Sequence, residues 1–389
     1  MDFDKIIDRK NTNSLKYDFT RERKGREDLL PLWIADMDFK LPDEIIEDLV
    51  STVSHGIFGY SDVKDDYFTA VQKWFLERFH WNTKKEWLVK TPGIVFAIAQ
   101  AINAFTKEGD SILIQQPVYY PFAGCIKDNN RKLVNNQLRY ENGSYSIDFD
   151  DFESKIIQEE VKLFILCSPH NPVGRVWTIE ELTTIGTICK KHKVLIISDE
   201  IHCDFTYPGH NHTVFASISE DFALNSIICT APSKTFNIAG LQVSNIFIPN
   251  SDTRQQFLRQ IDASGYSQLN TLGLVACRSV YSKGAPWLNE LKAYLQENLN
   301  YVRSFLVDRL PELKLVEPEG TYLIWIDCSE LGLTYRELEQ LITDKANLWL
   351  DGGVMFGSKS TQFERINIAC PRSVLVKAME QLEKAIRSQ

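Results

Sequence analysis

Apolar positions change their spacing along this chain, and the changes mark its elements. Val95, Ile98, Ile102 and Phe105 recur at helical intervals, and Gly109 follows as a stop signal. Ser111-Ile-Leu-Ile114 then reads as a buried strand. Further continuous apolar runs predict strands at Lys162–Leu166, Val194–Ile197, Ser226–Cys229 and Val243–Phe247. Helical patterns separate them, among them Thr178 to Lys191, where Glu180 and Glu181 suit a helix start. Strands alternating with helices predict an α/β layer around a mostly parallel sheet. After about residue 285 the pattern shifts. A long helical stretch from Trp287 to Arg309 leads into Pro311 and a strand at Thr321–Ile326. Leu375, Met379, Leu382 and Ile386 then share one face of a final helix. This predicts three parts. Residues 51–284 form a large domain and 285–389 a smaller one of helices on a short sheet. Residues 1–50 pack beside the small domain, with Pro31–Ala35 extended.

Composition narrows the function. The 389 residues carry 43 Lys plus Arg against 52 Asp plus Glu, a formal charge of −9. Phosphate backbones need a basic face, so nucleic acid is not expected as the main partner. No apolar run approaches the roughly 18 residues a membrane span needs, and the charged start has no signal-peptide core. A soluble protein of the cytoplasm is expected. The eight cysteines never fall in a C-x-x-C spacing and several sit inside apolar runs, as at Cys167 and Cys229. They read as buried reduced thiols, and no metal site or disulfide framework is expected. His210-Asn-His212 is too short and isolated for zinc and reads as a solvated loop.

No dinucleotide fingerprint, P-loop or nucleophile elbow occurs. Instead, polar residues follow four predicted strands: Gln116–Phe122, Ser168–Gly174, Asp199–His202 and Ala231–Thr235. Ligands of open α/β sheets collect at the carboxyl ends of strands. A ring, an amide, a carboxylate with a nearby imidazole, and a lysine would therefore share one edge. A lysine with a carboxylate close by is what a Schiff-base enzyme needs, the acid keeping a pyridine nitrogen protonated. Taken singly, each has an ordinary alternative, such as a solvated loop end for Lys234 or a helix cap for Asp199.

Together these segments resemble the fold-type-I pyridoxal-phosphate enzymes, and among them the cystathionine β-lyase and cystalysin-like C–S lyases. The resemblance spans nearly the whole chain, through Trp33–Phe39, Phe58-Gly-Tyr60, Thr91–Val95, Pro117–Pro121, Ser168–Gly174, Ser198–His202, Ala231–Leu241 and Arg365–Pro371. It implies the aspartate-aminotransferase-like fold, with a mostly parallel seven-stranded sheet in the large domain and a smaller α+β C-terminal domain. It implies pyridoxal 5′-phosphate (PLP) as cofactor and a small amino acid as substrate. Lys234 would hold the cofactor and move the Cα proton, Asp199 would pair with the pyridine nitrogen, and Asn171 and His202 would bond the ring 3′-oxygen. Tyr119 would stack on the ring and assist proton transfer. The phosphate would meet backbone N–H groups of Gly93, Ile94 and Val95, with Ser233 adding a hydroxyl or serving a turn. Tyr60 would reach the phosphate from the other subunit of a homodimer, its alternative being a core tyrosine. Arg365 would grip the substrate carboxylate, with Asn171 and Tyr119 beside it.

Many aminotransferases of this fold carry Ser three residues before the lysine and Arg eight after it, on the phosphate. Here those positions are Ala231 and Gln242. The pattern favours β-elimination of cystathionine, cysteine or S-substituted cysteines, with an aminotransferase as the alternative. Gly357-Ser-Lys-Ser360 departs from the family at Ser360, where a second glycine is expected, which leaves the path of that loop open. Some lyases of this type also bind a transcription regulator; no residue here points to that role.

Overall fold

The computed structural model describes residues 1–388. Seven strands form the central sheet: β1 (Leu88–Thr91), β2 (Ser111–Ile114), β3 (Lys132–Asn135), β4 (Leu163–Cys167), β5 (Leu195–Asp199), β6 (Ser226–Thr230) and β7 (Ser244–Phe247). Their spatial order is β1-β7-β6-β5-β4-β2-β3, with only β7 antiparallel to its neighbours. Every residue of β2, β4, β6 and β7 is buried, which explains why these strands read as unbroken apolar runs rather than alternating ones. Because the other six strands are parallel, the segments after β1, β2, β4, β5 and β6 emerge at one edge.

The predicted helices lie where their spacing placed them, with ends set by capping. Helix α1 covers Ile94–Phe105 with Gly93 as its N-cap, and α2 covers Ile179–Lys191. Thr178 accepts from the Glu181 N–H while the Glu181 side chain accepts from the Thr178 N–H, a reciprocal capping box. Ser111–Ile114 is as predicted, and the other five predicted strands shift at one or both ends by one or two residues. Val194 is spent on a bond to the Cys189 carbonyl at the end of α2, so β5 starts at Leu195 and runs on to include Asp199 itself.

The small sheet is antiparallel, in the order β8 (Lys314–Val316), β9 (Leu323–Asp327), β11 (Phe363–Asn367), β10 (Asp351–Gly352). Helices α4 (Ala285–Arg309) and α5 (Arg372–Arg387) pack against it; α3 (Pro232–Thr235) belongs to the large sheet's edge. Leu30–Pro31 pair with Leu348–Trp349, so the N-terminal segment is stitched to the small sheet's side of the molecule. A buried charge cluster fixes the segment further on: Lys16 bonds Asp38 at 2.8 Å, Arg9 grips Asp36 and Asp38, and the Tyr17 hydroxyl donates to Asp38 at 2.9 Å. The eight cysteines are all unpaired and buried.

His212 departs from the solvated-loop reading. It is buried, and its Nε2 lies 2.8 Å from Glu200 Oε2, which also accepts through Oε1 from Ser198 and from the Phe215 N–H. A buried carboxylate needs such partners, and the sequence around His212 holds no sign of a partner twelve positions away.

Candidate active site

One cavity at the carboxyl edge of the sheet is lined by Tyr119, Asn171, Asp199, His202, Ser233, Lys234 and by Gly93–Val95. The sequence segments after β1, β2, β4, β5 and β6 thus converge. Lys234 sits in the four-residue helix α3, begun by Pro232. Its Nζ donates to the Ala35 carbonyl at 2.7 Å, an acceptor from the N-terminal segment that no local pattern announces. The Tyr322 hydroxyl donates to the same oxygen at 3.2 Å. Burial pulls Lys234 down to about 8; Asp36 and Asp199 oppose this and Arg365 adds to it. At that value the amine is neutral in a useful fraction near physiological pH, as a nucleophile requires.

Asp199 is 3% exposed, and its Oδ1 accepts only a 3.2 Å bond from the Ile201 N–H. Burial pushes it up to about 7, with Glu200 adding to the rise and Lys234 opposing it. A carboxyl left so poorly compensated favours a cationic neighbour, such as a protonated ring nitrogen. His202 is also 3% exposed, and its Nδ1 has no hydrogen-bond partner. Burial, helped by Lys234 and Arg365, lowers it to about 3, so the ring is neutral and able to donate from one nitrogen. Tyr119 is held well above the usual phenol range, chiefly by burial.

At the other end of the cavity, Gly93 caps α1, whose first N–H groups have no intrahelical partner and face an anion favourably. An unpartnered imidazole, an undercompensated buried acid, a depressed lysine and a free helix start therefore fit a phosphorylated pyridine aldehyde. Ser233 is half-buried on the cavity wall, and Gln242 stands there too, in a left-handed conformation with φ 50°.

Arg365 on β11 is 2% exposed. Its Nη1 donates to Asn171 Oδ1 at 3.0 Å and its Nη2 to the Trp33 carbonyl at 2.8 Å and to Asp351. Its Nε has no partner, and the guanidinium lies 4.8 Å from the Phe356 ring centre. Sequence reasoning missed Asp351, Ala35 and the Trp33 carbonyl. Asp351 faces Arg365 across the β10–β11 pair, a register no single-strand pattern carries. Tyr60 does not enter this chain's own cavity. It is 98% exposed and lines a separate outward hollow, whose wall Gln242 shares with the Lys234 cavity.

The model of the family described as aminotransferase class I and II matches residues 27–382, and the chain belongs to that family. Within it, the chain is 42% identical over 386 residues to cystathionine beta-lyase PatB of Bacillus subtilis, covering 99% of this chain and 100% of that one. Among solved structures it is similar to cystalysin from Treponema denticola, which contains a pyridoxal 5′-phosphate cofactor, with a TM-score of 0.96 and 40% identity over 100% of this chain and 99% of that one. It is also similar to a PLP-bound putative aminotransferase from Clostridium difficile, with a TM-score of 0.97 and 44% identity over 99% of each chain.

Proposed function

We propose that the protein is a PLP-dependent C–S β-lyase that cleaves cysteine thioethers, cystathionine among them, to a thiol, pyruvate and ammonia. The observation that carries the reading is the Lys234 amine, depressed by burial and facing Asp199, His202 and Asn171 across one cavity. The full-length likeness to a cystathionine beta-lyase and to cystalysin supports the same chemistry.

Lys234 would hold PLP through Nζ, Asp199 would pair with the ring nitrogen, His202 and Asn171 with the 3′-oxygen, and Tyr119 would stack on the ring. Gly93, Ile94 and Val95 would offer backbone N–H groups to the phosphate, and Ser233 its hydroxyl. Bound PLP supplies an electron-poor ring that stabilises negative charge at the substrate Cα. Arg365 orients the α-carboxylate through two N–H donors. Lys234 would take the Cα proton onto Nζ; the pair left at Cα would form the Cα–Cβ double bond as the Cβ–S bond breaks and the thiolate leaves, and water would then convert the remaining enamine to pyruvate and ammonia. Tyr119, on the same cavity wall, stays protonated at neutral pH and could donate a proton.

The active unit is a homodimer in which Tyr60 meets the partner's phosphate. An almost fully exposed tyrosine beside exposed Ile57 and Phe58 supports a second copy over that hollow. Eight unpaired thiols support a reducing, cytoplasmic setting, and no helix among the described residues is long and apolar enough to cross a membrane.

The test is pyruvate and free thiol released from L-cystathionine by PLP-loaded protein with no keto acid present. Release in equal amounts, abolished in Lys234→Ala, is expected. A PLP-loaded protein that turns over amino acids only when a keto acid is added would be an aminotransferase instead.

A further inference from the structure

A second cavity, of about 470 Å³, lies on the far side of Arg365, whose guanidinium bonds Asn171 on the wall of the first and Asp351 on the wall of the second. Trp33, Tyr120 and Asp351 line it. Each lies within two residues or one hydrogen bond of Ala35, Tyr119 or Arg365. The Tyr119 and Tyr120 ring centres are 5.6 Å apart. A substrate whose α-carboxylate rests on Arg365 thus has this space beside it for whatever hangs on its sulfur.

The charges around the cavity pair off until two are left. Asp351 is taken by Arg365, and Glu339 by Lys24 at 3.2 Å. Glu364, 6% exposed and on the cavity wall, makes no hydrogen bond or ion pair among the described residues. Burial, with Asp351 and Glu339 adding to it and Lys24 opposing, pushes its carboxyl up to about 8. A cation brought to it would relieve that cost. Arg23 stands at the rim with no carboxylate partner among the described residues, its guanidinium 5.7 Å from the Trp33 ring centre. Trp33 and Trp349, both on the cavity wall, are stacked, 4.4 Å apart and 9° from parallel, an apolar surface suited to methylene groups. Trp33 Nε1 is buried and has no acceptor.

One buried acid with no ion-pair partner, which ionises as an ammonium is brought to it, one unpaired cation and an apolar wall complement a zwitterion on a short carbon chain. Resting on the lyase reading, we propose that this cavity binds the leaving-group half of the substrate when that half is itself an α-amino acid, Glu364 taking its ammonium and Arg23 its carboxylate. The site thereby selects thioethers that release an amino-acid thiol over those that release a simple alkyl thiol.

Four substrates separate the contacts. L-Cystathionine carries both charges on the leaving group, S-(2-aminoethyl)-L-cysteine only the ammonium, S-(2-carboxyethyl)-L-cysteine only the carboxylate, and S-ethyl-L-cysteine neither. Values of kcat/KM are read as ratios to S-ethyl-L-cysteine within each protein, so a loss of folded enzyme cancels. Glu364→Gln should lower the ratios for cystathionine and the aminoethyl compound by about tenfold or more and leave the carboxyethyl ratio in place. Arg23→Gln should lower the cystathionine and carboxyethyl ratios by several-fold, less because the group is exposed. Thiol released from all four with ratios that neither variant moves overturns this inference alone. Thiol from none of the four, by wild-type protein, overturns the lyase reading and this inference with it.

Discussion

At the scale of single residues, burial decides chemistry. Lys234, Asp199 and His202 line one pocket, and burial is the leading influence on each, drawing the lysine and histidine down and the acid up. For the lysine the sign is simple. A lowered value means the proton leaves earlier as pH rises, so the neutral amine appears around pH 8 rather than above 10. The rate at which PLP-free protein captures PLP, followed by the growth of a band near the visible edge, should therefore climb through about pH 8 and level off beyond it. A climb centred above 10 would mean the lysine behaves as a surface group. Much of this set was legible in the chain, because each member follows a strand at a short, fixed offset. What sequence could not supply was the second partner of each contact. The Ala35 carbonyl, 199 positions from Lys234, and Asp351, held against Arg365 by strand register, have no pattern of their own.

Among the elements, the N-terminal segment does more than cover a surface. It passes from its pairing with Leu348–Trp349 to the buried cluster of Lys16, Asp36 and Asp38, and between them it presents the Trp33 and Ala35 carbonyls to Arg365 and Lys234. Its extended stretch was readable, but its role as a wall of the site was not, since carbonyl oxygens are common to every residue. Lys16→Met removes the cation that is fully buried against Asp38 and leaves that acid to Arg9 and Tyr17. A loss of about 3 kcal/mol in stability is expected, read by urea denaturation, together with lower turnover as the Ala35 carbonyl loosens. The loop at Gly357–Ser360 is a similar case. Its backbone packs against Gly353, where any Cβ would lie 1.9 Å from the Ser360 carbonyl oxygen, a contact fixed by the fold and invisible in the local sequence.

For the whole molecule, the mostly parallel sheet was foreseeable from strands alternating with helices, and a second, short sheet from the switch in apolar spacing near residue 285; that this sheet is antiparallel was not. The pairing of two chains rests on the family resemblance, because an exposed Tyr60 and a buried one read alike in sequence. Mixing chains tests it. Co-expressed Lys234→Ala and Tyr60→Ala proteins should form mixed dimers with one fully intact site, and activity should exceed that of either variant alone. No gain on mixing would place Tyr60 in its own chain's site or in none.

The buried cysteines bear on the reaction's own product. A thioether lyase fills its surroundings with thiols, which oxidise to disulfides that any accessible protein thiolate attacks, leaving a mixed disulfide. All eight sulfurs here are shut inside the fold, and burial holds every one above the ordinary thiol range; Cys125, the least shifted of those given a value, is pushed up to about 11. The enzyme is thus insulated from mixed-disulfide capture by the compounds it releases, and its thiols become open to that chemistry only as the fold opens.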